Sequence, residues 1–283
     1  MANYTAADVK RLREETDAPM MECKQALDEA DGNFDRAKEI LREKGKAAAA
    51  KRVDRKTSEG VVAVSTHHDH KIIGAVVLEC ETDFVARNED FIAIAQELAE
   101  IFLHNDPGKD PMAIRHGDKN VGEIVEGAVA KIRENIRIAK AVRIVSENRL
   151  ASYIHHDRKK AVIVELKGDA SNAMEAARAV AIQSVAFPPE FLTKDQVPKE
   201  FIEKEIATET QRAINEGKDE NIAKGIAQGR VNKEFMKRVV LLEQPFYKDQ
   251  SKSVADFLKE EAKNGGGSID IVKVTRLAVG EGE

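Results

Sequence analysis

The chain has 283 residues, room for two or three domains, with 42% hydrophobic and 34% charged side chains and no tryptophan, so its core must be built mainly from Ala, Val, Ile and Leu. A net charge of −5 argues against a nucleic-acid-binding protein, which needs clustered Lys and Arg to neutralise phosphates. Two cysteines without Cys or His at ligand spacing give neither a disulfide framework nor a zinc site, and with no signal region at Met1-Ala2-Asn3-Tyr4 and no run near the ~20 apolar residues that span a bilayer, a soluble cytoplasmic protein is expected.

Residues 5–45 predict three short helices. Thr5-Ala6-Ala7-Asp8 has the form of a capping box, and Val9 and Leu12 begin a one-sided apolar pattern. Asp17-Ala18-Pro19 breaks the chain before a helix carrying Met20, Cys23, Ala26 and Leu27. Asp31-Gly32-Asn33 is a turn in which Gly32 takes positive φ and Asn33 caps the third helix. Phe34, Ala37, Ile40 and Leu41 follow at helical spacing, and Gly45 is expected to end the run. Met20-Met21 is read two ways, as core filling or as an adaptable exposed contact. Residues 46–58, with Lys46, Lys51, Arg52, Arg55 and Lys56 around an Ala run, read as a solvated helical linker.

A duplicated pattern follows. Residues 60–103 run strand (61–64), polar turn (67–70), strand (72–80), helix (91–103); residues 151–187 repeat strand, turn, strand and helix. Between them 105–111 is a loop, 121–132 a helix, and Ile136, Ile138, Val142 and Ile144 mark a strand with one buried face. His67-His68-Asp69-His70 reads as an exposed hairpin turn, because adjacent strand residues point to opposite faces. Most informative is Glu79-Cys80-Glu81-Thr82-Asp83-Phe84-Val85-Ala86-Arg87-Asn88-Glu89, which turns from a buried strand towards a helix. Thr82 or Asp83 can cap that helix and Phe84 can staple it; alternatively, the corner is what a partner meets.

After Phe187-Pro188-Pro189 the composition shifts to long charged helices, with Phe201, Ile202 and Ile206 on one and Ile222, Ile226, Val231, Phe235, Val239 and Leu242 on the next. Joined by Asn215-Glu216-Gly217-Lys218, they read as an antiparallel coiled-coil arm. A helix at 253–261 and a strand at 269–277 return to close one of the earlier sheets. No phosphate loop, no G-x-G-x-x-G, no H-E-x-x-H and no nucleophile elbow occurs.

Val9-Lys10-Arg11-Leu12-Arg13, Met20-Met21-Glu22-Cys23-Lys24-Gln25-Ala26-Leu27, Thr82-Asp83-Phe84-Val85-Ala86, Glu134-Asn135-Ile136-Arg137-Ile138, Pro188-Pro189-Glu190-Phe191, Gly229-Arg230, Gln244-Pro245-Phe246 and Val279-Gly280-Glu281-Gly282 together resemble, in order and spacing, the elongation factor Ts family of guanine-nucleotide exchange factors for elongation factor Tu. The resemblance implies an α+β fold: a ubiquitin-associated-like three-helix module (1–45), the linker (46–58), two core subdomains (59–150 and 151–194), the coiled-coil arm (195–244) and a return segment (245–283). It implies a translation factor without covalent chemistry or cofactor. Its partner would be elongation factor Tu, GDP-bound and nucleotide-free, with no nucleic acid or membrane partner and with a dimer of the complex left open. By the same resemblance Thr82, Asp83, Phe84 and Val85 dislodge the partner's Mg²⁺, while Leu12, Met20, Met21 and His155 contact it. Two departures stand out. Longer members continue into a terminal helix, which implies less partner contact here, and Asn232-Lys233-Glu234-Phe235-Met236 lacks the family's aromatic pattern at the base of the arm.

Two further readings of the same residues are an adaptor built around the three-helix module, and an enzyme with Glu81, Asp83 and His155 converging between the two β-β-α units.

Overall fold

The computed structural model describes residues 3–16 and 18–281, without the side chains of Lys46, Ala48 and Ala49. The chain mixes helices with antiparallel sheet and divides into two compact units. The first takes the chain up to His67, residues 73–144 and the end beyond Leu277; the second takes 68–72 and 145–277.

The first unit opens with helices α1 (Ala6–Thr16), α2 (Met20–Glu29) and α3 (Phe34–Ala50). Thr5 and Asp8 form the expected reciprocal cap, the Asp8 N–H donating to Thr5 Oγ1 at 3.3 Å and the Thr5 N–H to Asp8 at 2.7 Å. Asn33 accepts from the Arg36 N–H, and Gly32 has φ +83° with the Asn3 carbonyl where a side chain would stand. Of the break between α1 and α2, Asp17 lies outside the described residues, as does Gly282 of the terminal motif. Gly45 does not end α3. The helix runs on to Ala50, and the absent side chain at Gly45 lets it approach Ala130. The stretch expected as a helical linker is therefore helical only to Ala50, with residues 51–54 in turns.

Strands β1 (Glu59–Thr66) and β2 (Ile72–Cys80) pair antiparallel, Glu59 opposite Cys80 and Thr66 opposite Ile73. A single turn, α4 (Asp83–Ala86), precedes α5 (Glu89–His104). The loop that follows holds a small hairpin, β3 (Arg115–His116) and β4 (Lys119–Asn120), before α6 (Val121–Ile132) and β5 (Arg137–Val145). The sheet order is β1-β2-β5. Val76, Leu78, Phe91, Leu98, Phe102 and Val125 are among the residues that close the core over it.

In the second unit β6 (Arg149–Ile154) and β7 (Lys160–Lys167) form the second antiparallel hairpin, followed by α7 (Ala173–Ala186). Helices α8 (Lys199–Asn215) and α9 (Glu220–Arg230) are joined by a short turn; α9 passes through a π-helical turn (Val231–Phe235) into α10 (Met236–Val239). That region, where the family's aromatic pattern is missing, is nevertheless closed by aromatic rings. Phe201 lies 5.8 Å from Phe191 and 5.6 Å from Phe235, with Val231 and Met236 buried beside them. A hairpin of β8 (Pro245–Phe246) and β9 (Asp249–Ser253), helix α11 (Val254–Asn264) and strand β10 (Asp270–Ala278) complete the chain. β10 joins β7, giving the order β10-β7-β6 and confirming that the late strand closes an earlier sheet.

Candidate functional site

At the end of β2 the chain must leave a sheet whose residues 73–80 are all buried, and it does so through Glu81 and Thr82. Thr82 Oγ1 accepts from the Val85 N–H at 3.4 Å and caps α4, as its residue type anticipates. It also donates to Glu134 at 2.6 Å, and the same carboxylate accepts from the Glu81 and Thr82 N–H groups at 3.0 Å each. Glu81 in turn accepts from the Asn135 N–H at 2.6 Å and pairs with Arg55 at 3.4 Å. The corner is thus bound from behind by a loop more than fifty positions away.

Its outer face is free. Phe84 is 83% exposed, so it does not staple α5, which carries its own cap at Asn88. Asp83 is half-exposed and pairs with Arg87 at 3.1 Å, an arrangement worth no more than about 1 kcal/mol and easily exchanged for another partner. Val85 is partly buried against the core. Cys80 donates to the Thr82 carbonyl at 3.3 Å; burial, and then the charge of Glu134, push its thiol up to about 12.

Deeper in the wall, Glu79 is fully buried, a cost met by a complete set of partners. Arg137 lies 2.8 Å from its carboxylate, Thr57 Oγ1 donates at 3.1 Å, and the Gly280 N–H donates at 3.0 Å.

The other sequence-derived candidates separate. Met20 and Met21 are 50% and 65% exposed at the start of α2, available as contacts rather than core. Leu12, expected as a contact, has no exposed surface. It packs with Val9, Cys23, Leu27 and Ile40 inside the three-helix core. His155 belongs to the second unit, partly buried at the end of the β6–β7 hairpin, with Nδ1 3.4 Å from the Tyr153 hydroxyl and its ring 4.3 Å from that of His156. Among the described residues no group of three or more His, Cys, Asp or Glu side chains is placed to hold a metal ion.

A family model described as Elongation factor TS matches residues 81–281. Elongation factor Ts of Clostridioides difficile (strain 630) is 40% identical over 289 residues, covering 100% of this chain and 94% of that one. This chain belongs to the elongation factor Ts family. The same protein from Chloroherpeton thalassium is 40% identical over 99% of this chain and 100% of its own, and that from Aquifex aeolicus 37% identical over 96% and 97%. The chain is accordingly a translation elongation factor that exchanges guanine nucleotide on elongation factor Tu.

Within the family pattern, some fragments prove structural and others face outward. Gln244 is buried, donating to the Phe187 and Arg238 carbonyls and accepting from Gln183, and Gly280 serves Glu79. Met20, Met21, Asp83 and Phe84 face outward. Glu134, Asn135 and Arg137 enter the sequence reading only through the family fragment at 134–138, and Glu79 only as the start of the corner stretch, none with a site role. A lone acid inside the apolar run of β2 was the readable sign that Glu79 needs a cation; nothing in the local pattern marks Glu134.

Proposed function

We propose that Thr82-Asp83-Phe84-Val85 is the element by which this chain dislodges Mg²⁺ from elongation factor Tu and so releases GDP. An exchange factor that binds the nucleotide-free GTPase more tightly than the loaded one weakens nucleotide binding by the same factor. That requires a group driven between partner elements and a group that disturbs the ion's surroundings. Phe84 suits the first task, a stiff aromatic standing in solvent. Asp83 suits the second, a carboxylate paired with an exposed Arg87 and able to compete for the polar groups and waters around the ion. The observation that carries the reading is an 83% exposed Phe84 on a corner fixed from behind by three hydrogen bonds to one carboxylate, since ordering a wedge before docking lowers the cost of binding.

The remaining assignments follow the family. The three-helix bundle serves as a ubiquitin-associated-like docking module presenting Met20 and Met21, whose flexible side chains adapt to a partner surface. Residues 46–58 link it to the core, and 59–150 and 151–194 are the paired subdomains, the second offering His155. Helices α8 and α9 form the coiled-coil arm within 195–244, and 245–283 is the return segment. The protein works in the cytoplasm, without cofactor or covalent chemistry. Release of fluorescent GDP from elongation factor Tu tests the exchange reading. The chain accelerates it, and Asp83→Ala/Phe84→Ala loses about 100-fold of that acceleration, roughly 2.7 kcal/mol of transition-state stabilisation. Equal rates for both proteins would remove the corner from the mechanism.

A further inference from the structure

We infer that Glu134 is the positioning residue of the exchange corner, an inference that rests on the corner being the exchange element. The Glu134 carboxylate occupies the place an anion takes in a nest of backbone donors. Two successive N–H groups, of Glu81 and Thr82, reach it at 3.0 Å, and the Thr82 hydroxyl at 2.6 Å. That hydroxyl is used twice. Giving its proton to Glu134 turns its lone pairs towards the Val85 N–H, so the cap of α4 depends on Glu134 as well as on Thr82. Asp83 and Phe84 lie between these two bonds and have, among the described residues, no comparable anchor of their own, Phe84 being exposed and Asp83 paired with Arg87.

The turn that supplies Glu134 is itself fixed on both sides. Arg133, which ends α6, has a left-handed backbone (φ +69°), a conformation a non-glycine residue adopts only where its surroundings hold it. Its guanidinium pairs with Glu22, one residue beyond Met21. Asn135 is 5% exposed, and its amide donates to the Val53 and Arg55 carbonyls at 3.2 and 2.7 Å. Three consecutive residues thus fasten the methionine-bearing helix, the exchange corner and the segment leading into β1. A carboxylate held this firmly sets where Asp83 and Phe84 stand.

Removing it leaves two backbone donors and a hydroxyl without their acceptor. The corner would loosen without the partner-docking surface at Met20 and Met21 being lost. The test uses the full chain, its Glu134→Ala and Glu134→Gln variants, and Asp83→Ala/Phe84→Ala. Amide hydrogen exchange of the free proteins reads the corner directly. Glu134→Ala speeds exchange in the peptide covering 81–85 about tenfold or more, while the core strands keep wild-type protection. Steady-state exchange on elongation factor Tu reads the consequence. Glu134→Ala lowers kcat about tenfold with KM within about twofold, since small misplacements of a working group cost rate rather than docking. Glu134→Gln, which keeps one acceptor oxygen, falls between the two proteins in both assays and remains informative should the alanine variant fold poorly. Wild-type protection of 81–85 in both Glu134 variants, or a loss confined to KM, overturns the inference. Wild-type kcat in Asp83→Ala/Phe84→Ala instead overturns the corner's role, whatever the protection data say about Glu134.

Discussion

The two β-β-α units each turn a corner from their second strand towards their helix, and the two corners are finished differently. After β7 the chain passes through Gly168, whose φ is +123° and where a Cβ would fall 2.0 Å from the Ser268 carbonyl oxygen, leaving no space for a side chain. The Ala170 N–H donates to the same carbonyl at 3.3 Å, the Ser268 N–H returns a bond to Asp169 at 2.9 Å, and Ala170 is buried. A later segment therefore covers this corner. After β2 the anchoring comes from behind, through Glu134, and the outer face keeps Phe84 in solvent. With strand order shared, a corner becomes an internal joint or an open face according to which side its hydrogen-bond partners occupy.

The closed corner is the more costly to disturb. Gly168→Val combines a forbidden backbone with a direct overlap and is expected to lower unfolding free energy by at least about 3 kcal/mol. Phe84→Ala, at the open corner, should leave it within about 0.5 kcal/mol, because exposed side chains contribute little to folding. Denaturant midpoints of the two variants decide this, and a Phe84→Ala loss as large as that of Gly168→Val would erase the distinction.

A second contrast lies in titration. Cys80, at the start of the open corner, rises from an ordinary 9.0 to about 12, first through burial. The folded state thus holds a proton that the unfolded chain releases. Its stabilising contribution is complete below pH 9 and is lost as pH rises from 9 towards 12. Under reducing conditions the melting temperature of the wild type should fall more steeply above pH 9 than that of Cys80→Ala; parallel curves would contradict the cause given. The closed corner responds at the other end. The Ser268 backbone N–H, then its hydroxyl, hold Asp169 below the usual carboxylate range. That contribution is present above the ordinary value and lost as pH falls through the lowered one. Asp169→Asn should therefore be slightly less stable at neutral pH, with the difference shrinking as pH falls through the lowered value. A constant difference across the acid limb would point to some other origin.

Much of this was legible beforehand because periodicity is a strong local signal. The three N-terminal helices, both long hairpins and the returning strand follow from apolar spacing, and Thr5, Gly32 and Asn33 do what their residue types dictate. The two-residue strands β3, β4 and β8 carry too few positions to show a period. Gly45 reads as a helix stop because glycine more often ends a helix than lets one helix approach another; the contact at Ala130 belongs to a distant part of the chain. The corner announced itself through Thr82-Asp83-Phe84, but its support did not, since Glu134 lies 52 positions from Thr82. Leu12, a partner contact by resemblance, has the apolar spacing of a core residue and packs as one in this chain.

The most direct test of the open corner's role is the Mg²⁺ dependence of GDP release from elongation factor Tu, comparing the wild-type chain with Asp83→Ala/Phe84→Ala. If the corner acts by dislodging the ion, the deficit of the variant should be near 100-fold in millimolar Mg²⁺, as for ~2.7 kcal/mol of lost stabilisation, and should largely close when EDTA has already removed the metal. An equally large deficit without Mg²⁺ would contradict that account and leave Phe84 acting on the nucleotide site by another route.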